Sequence, residues 1–175
     1  MGEDLELNKF LKGCSFIFCL TILLVSCSTN LNIGNKPSYD LSKVLMYKNS
    51  YVGDNSAVSN ILNNLPANEY LNGIELKTQS EPYGIIANYK ISNKKIDLIF
   101  EDKITKKLSQ EDVLLYNAVI ILALVQNANY IEYKFDNGEG IKYERSDLKQ
   151  YQEKYGKNLE SLVKDKNSLE KFLKQ

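Results

Sequence analysis

Tyr130-Ile131-Glu132-Tyr133-Lys134-Phe135 alternates apolar and polar residues, and Ile141-Lys142-Tyr143-Glu144 repeats the alternation after Asp136-Asn137-Gly138. A period of two puts alternate side chains on opposite faces of a strand. Asn-Gly between two such runs favours the turn whose backbone fits strand twist. The stretch therefore predicts a half-buried hairpin. It needs an apolar layer on one face.

That layer lies just upstream. Ser109 is placed to cap a helix, with Glu111 and Asp112 in a first turn where acids suit the helix dipole. The body from Val113 to Val125 is apolar almost all round, interrupted by Tyr116 and Asn117. As a helix it is about 20 Å long, too short to cross a bilayer core of about 30 Å. It reads as the central core helix, left through Asn127 and Asn129, with Asn117 a buried polar anchor for backbone groups.

Further out the elements alternate in kind. Ile74-Glu75-Leu76-Lys77-Thr78 and Ile85-Ile86-Ala87-Asn88-Tyr89 flank the turn Ser80-Glu81-Pro82-Tyr83-Gly84 and predict a second hairpin. Ile96 to Phe100 suggests a third strand. Val58, Ile61, Leu62 and Leu65 make one apolar helix face that Pro66 ends. Asp54 or Asn55, in the turn Tyr51-Val52-Gly53-Asp54-Asn55-Ser56, caps that helix. Asp40 caps a short turn over residues 41–45. Downstream, Ser146 or Asp147 caps a helix through Tyr155 that Gly156 stops, and short helices follow near 158–163 and 167–174. The expectation is an α+β fold, an antiparallel sheet of four to five strands with helices packed on one face.

The N-terminus reads as an address. Residues 14–25 carry no charge and follow Lys9 and Lys12. The uncharged stretch Gly13–Ser26 is too short for a stable span and reads as a secretory signal. Glu3, Asp4 and Glu6 make its start acidic. Leu24-Val25-Ser26-Cys27 resembles the lipobox of bacterial lipoproteins. That resemblance implies cleavage before Cys27 and diacylglycerol on its sulfur; an uncleaved short anchor or an ordinary signal are the alternatives. The expected organisation is a lipoprotein signal peptide over 1–26, a flexible tether over 27–38 and one α+β domain over 39–175. A bias to Asn, Lys and Ile suggests a low-GC Gram-positive source.

Composition excludes much chemistry. The 175 residues hold 22 basic and 22 acidic side chains and no His. A net charge of zero gives no electrostatic reason to bind nucleic acid. After loss of residues 1–26 the chain is nearly neutral, with 20 basic and 19 acidic groups. Without His there is no Ser-His or Cys-His pair. Cys14 and Cys19 lie in the leader and Cys27 would be lipidated, so the mature domain has no free thiol, and neither a metal nor another cofactor is expected. No phosphate-binding Gly loop is present. Asp136-Asn137-Gly138-Glu139-Gly140 fails the EF-hand spacing and reads as the hairpin turn.

Two carboxylates, Asp54 and Glu81, are the candidates for acid–base work on a glycan; their simpler roles are helix cap and turn residue. All 12 Tyr lie after residue 38. Tyr offers a flat apolar ring and a hydroxyl suited to peptides or sugars. Tyr51 and Tyr83, each beside a turn Gly, mark the candidate recognition patch, against a reading in which they plug the core edge. Residues 142–175 hold nine basic and six acidic groups, read as a solvated helix surface.

Tyr47-Lys48-Asn49-Ser50-Tyr51-Val52-Gly53-Asp54-Asn55 resembles the opening signature of the bacterial family called domain of unknown function 4825. Glu81-Pro82-Tyr83-Gly84 is similar to its second signature, and Asn117-Ala118 with Asn127 and Tyr130-Ile131 to its third. Leu169 to Leu173 resembles its closing amphipathic helix, so the resemblance spans about residues 40–174. It implies a small secreted or lipid-anchored bacterial protein. Similar domains outside membrane proteins that resemble penicillin-sensing BlaR-type metallopeptidases imply a sensing or interaction role. No catalytic residue comes with it. The expected function is a lipid-anchored, extracytoplasmic, non-catalytic binding module, with the membrane and a membrane-sensor or envelope protein as partners; the alternative is a carboxylate-dependent cell-envelope hydrolase.

Overall fold

The computed structural model describes residues 38–148 and 158–175. The leader, Cys27 and the tether to Pro37 lie outside them, as does the helix expected through Tyr155 beyond Leu148. The elements are α1 (Leu41–Leu45), α2 (Asn55–Asn64), a 3-10 turn (Asn68–Tyr70), β1 (Leu71–Lys77), β2 (Gly84–Tyr89), β3 (Ile96–Ile99), β4 (Thr105–Leu108), α3 (Gln110–Leu124), β5 (Tyr130–Phe135), β6 (Gly140–Glu144), α4 (Leu159–Leu162) and α5 (Lys166–Leu173).

Helix starts follow the expected caps. Asp40 accepts from the Ser42 and Lys43 amides, Asp54 from Ala57, and Ser109 from Asp112. Each such cap is worth about 1 kcal/mol. Capping alone does not hold a ten-residue helix like α2, since isolated helices of that length are marginal in water. Burial does: Val58, Ile61, Leu62 and Leu65 are fully buried, at roughly 1.5–3 kcal/mol each. In α3 apolar residues face every direction, so it must be covered all round. It packs on β5 and on α4. Its fully buried amide, Asn117, donates from Nδ2 to the Pro66 carbonyl at 2.7 Å and so ties the core helix to the end of α2.

The sheet corrects one expectation. Four strands form one sheet in the order β1-β2-β5-β6, and β3 pairs with β4 in a separate two-stranded sheet. β1–β2 and β5–β6 are antiparallel hairpins as read from the sequence, but β2 and β5 run parallel, with Gly84 opposite Tyr130 and Tyr89 opposite Phe135. The sheet is mixed, not antiparallel. The segment from Lys90 to Asn129, which includes α3, is a crossover long enough to return the chain in the same direction. Alternation along a strand carries no information on its neighbour's direction. Burial does mark the centre: β2 is buried at five of six positions, whereas the edge strand β6 is buried at none. The expected third strand forms as β3, pinned from outside its sheet. Tyr39 Oη donates to the Ile99 carbonyl and accepts from the Ile99 amide, both at 2.8 Å.

On the core face, Tyr89 and Tyr133 meet edge to face at 5.6 Å between ring centroids. Among the described residues their buried hydroxyls have no hydrogen-bond partner. Burial, and secondarily the Glu69 charge, pushes the Tyr89 phenol far up. Burial likewise raises Tyr133, with Tyr89 and Tyr143 adding to it. Tyr39 is raised by burial against the opposing bond to Ile99. An unfolded chain loses these protons near pH 10, so above that pH the unfolded state binds fewer protons and stability falls as pH rises. Below it these groups contribute their full stabilisation. Alkaline titration of the phenolate absorbance is expected to leave a fraction untitrated until the chain unfolds. Tyr133→Phe should shrink that fraction while leaving neutral-pH stability unchanged or raised by up to about 1 kcal/mol, because it removes an unpartnered polar atom.

Candidate functional site

The three sequence signatures meet at one turn. α3 ends at Leu124 with Val125 as its C-cap, and residues 125–129 form the link to β5. The Gln126 amide donates to the Ser50 carbonyl at 2.9 Å, and Gln126 Nε2 donates to Asn49 Oδ1. Asn127 Oδ1 accepts from the Val52 amide at 2.8 Å. Asn129 holds Tyr83 from both sides: its Oδ1 accepts from the Tyr83 amide, and its own amide donates to the Tyr83 carbonyl, each at 2.8 Å. Asn is suited to this work because its short side chain offers an acceptor at backbone distance.

Arg145, just past β6, closes the turn from below. Its Nε donates to Ala128 O and its Nη2 to Val125 O, both at 2.7 Å, and its amide donates to Asn129 O. These satisfy carbonyls that the end of α3 leaves without helical partners. The guanidinium is partly buried, and desolvation pulls its pKa down. A cavity of about 720 Å³ opens beside the turn, bordered among the described residues by Lys48, Asn49, Gln126, Arg145, Asn158 and Glu160, with apolar side chains from α3 and α4.

The residues singled out in the sequence separate by environment. Tyr51 is 55% exposed, although its neighbours Ser50 and Val52 are both bonded to the turn. Tyr83 is half-buried and packs against the core. Asp54 spends Oδ1 on the Ala57 amide at 2.9 Å. Glu81 is exposed, and its bond to Pro82 is cis. Asp54 opens α2 while Glu81 sits in the β1–β2 turn, and among the described residues no hydrogen bond joins them. Cys27 lies outside the described residues. The Asp136–Gly140 segment is the β5–β6 turn, with Gly138 at φ 87°, where the left-handed backbone favours glycine. Asn127, Asn129 and Arg145 organise the site, yet the first two read as helix-exit residues and the third carried no signal beyond its charge.

The described residues form a mixed α+β domain with three signature segments gathered on one turn. The chain belongs to the family Domain of unknown function (DUF4825), whose model matches residues 44–152. No curated protein and no solved structure matches it.

Proposed function

We propose that the chain is a lipid-anchored, non-catalytic binding or interaction module on the outer face of the cell membrane. The observation that carries this reading is Tyr51. Its ring is exposed on a loop whose backbone is fixed on either side, by Ser50 to Gln126 and by Val52 to Asn127. A loop already ordered loses little entropy on binding, and a tyrosine presents apolar area and a hydroxyl together. Asp54, Glu81 and Tyr83, the other residues of the signature turns, belong to the same proposed recognition role. The uncharged leader and Leu24-Val25-Ser26-Cys27 support the anchor. Two acyl chains contribute about 0.8 kcal/mol per buried CH₂, so Cys27 would hold the domain at the membrane near a sensor or envelope protein.

The test titrates the full chain, in a neutral detergent, with soluble peptidoglycan fragments and with membrane-sensor ectodomains. Binding is expected to fall at least about tenfold in Tyr51→Ala, the loss of one aromatic anchor, and to stay unchanged in Ile104→Ala, an equally exposed control. Equal effects of the two variants would remove Tyr51 from the reading. In cells, Cys27→Ser is expected to abolish labelling by palmitate and release the chain from the membrane fraction. Membrane retention without label would remove the anchor.

A further inference from the structure

We propose that the cavity beside the 125–129 turn is an oxyanion site, taking a carboxylate or phosphate group of a ligand against Lys48 and Arg145. The proposal deepens the reading above and rests on it for the role of the 47–52 loop, which supplies both Lys48 and Tyr51.

The charge inventory carries it. Lys48 and Arg145 border the cavity together. Neither has an ion pair among the described residues. Arg145 has five N–H donors; one from Nε and one from Nη2 go to backbone carbonyls, and three are left without a partner among the described residues. A partly buried guanidinium without a counter-charge is unfavourable, and its lowered pKa has desolvation as its sole cause. Two bonds already fix its plane, so the remaining donors are preorganised for the paired oxygens of a carboxylate or phosphate. Neutral donors stand alongside. Asn158 accepts from the Ser161 amide through Oδ1, and among the described residues its Nδ2 has no hydrogen-bond partner. Asn49 accepts from Gln126 through Oδ1 and likewise keeps Nδ2. Glu160 is the acidic residue of the described lining, so the described lining carries one net positive charge.

The competing view is that Arg145 is a helix-end cap and nothing more. That view accounts for two of its donors but not for an unpaired lysine and two amide groups around the same cavity. It predicts no ligand response, which makes the two separable.

The experiment follows the Arg145 Nε–H and the Gln126 and Asn158 side-chain amides by NMR in the full chain. The probes are inorganic phosphate, N-acetylglycine and the uncharged control N-acetylglycinamide. Saturable shifts are expected with one or both anions and none with the amide; which anion binds tells carboxylate from phosphate. Lys48→Gln, at an exposed position whose side chain has no partner among the described residues, is expected to weaken binding about threefold, and added salt to weaken it further. Silence of these signals toward both anions, an equal response to the amide, or an unchanged affinity in Lys48→Gln overturns the site. If anions fail while Tyr51-dependent binding holds, this site alone is lost. If anions bind while Tyr51→Ala has no effect on any partner, the recognition reading alone is lost.

Discussion

Arg145→Ala is expected to lower the unfolding free energy by about 2–4 kcal/mol, since it removes two charge-assisted bonds, strips the Ala128 carbonyl of its Nε donor and leaves the Val125 carbonyl only the longer bond from the Ala128 amide at 3.3 Å. The loss should appear in urea unfolding as a lower midpoint with an unchanged slope, because the same surface is exposed on unfolding. Arg145→Lys keeps the charge but not the fork that reaches two carbonyls at once, so it should recover only part of the loss. Asn127→Ala and Asn129→Ala each release one loop and should cost about 1–2 kcal/mol. Because the three residues grip a single turn, combining the changes is expected to cost less than the separate losses added together. Strict additivity, or an Arg145→Ala cost below about 0.5 kcal/mol, would show that the turn holds itself without them.

Gly84→Ala is the second large effect. A methyl group at Gly84 would lie 2.1 Å from Tyr130 Cζ and 2.3 and 2.5 Å from the two Cε atoms. The tyrosine ring lies over the neighbouring strand where only hydrogen leaves room. Lys142 Nζ sits 4.4 Å from the centroid of the same ring and is ion-paired to Glu144 at 2.7 Å, so displacing the ring disturbs a third strand. Overpacking of this kind costs about 1–3 kcal/mol. The diagnostic is the double variant. Tyr130→Ala removes the obstacle, so Gly84→Ala should be nearly neutral in its presence, a coupling of more than about 1 kcal/mol. If Gly84→Ala is equally costly with and without the ring, its harm comes from the backbone and not from contact.

Local chemistry was readable from the sequence because it is local. Asp40, Asp54 and Ser109 cap the helices they precede, and Asn137-Gly138 turns β5 into β6. The apolar run of α3 announced a covered helix. What escaped is what depends on residues far apart. Thr105-Lys106-Lys107-Leu108 is too polar to read as a strand; it forms β4 because β3 lies beside it. The parallel pairing of β2 with β5 has no signature in either strand. At the candidate site, Tyr51 and Asp54 were visible as turn residues, but the bond that fixes their loop, from the Val52 amide to Asn127, spans 75 positions. Asn after a helix is common enough as a stop signal that its second job, holding two other loops, left no separate mark. Lys48 stood inside a quoted signature, yet a lysine shows its meaning only when the structure sets an arginine beside the same hollow.

The parallel seam constrains how the domain comes into being. Each hairpin can zip from its own turn, but the seam joins positions 46 apart, Gly84 to Tyr130, and no short loop can nucleate it. Contacts of such high order slow folding. β1–β2 emerges first and must wait, with its inner edge open, until the crossover and β5 have been made. That interval leaves an unpaired edge exposed to other chains, and the late arrival of residues 130–135 becomes the step on which escape from aggregation turns.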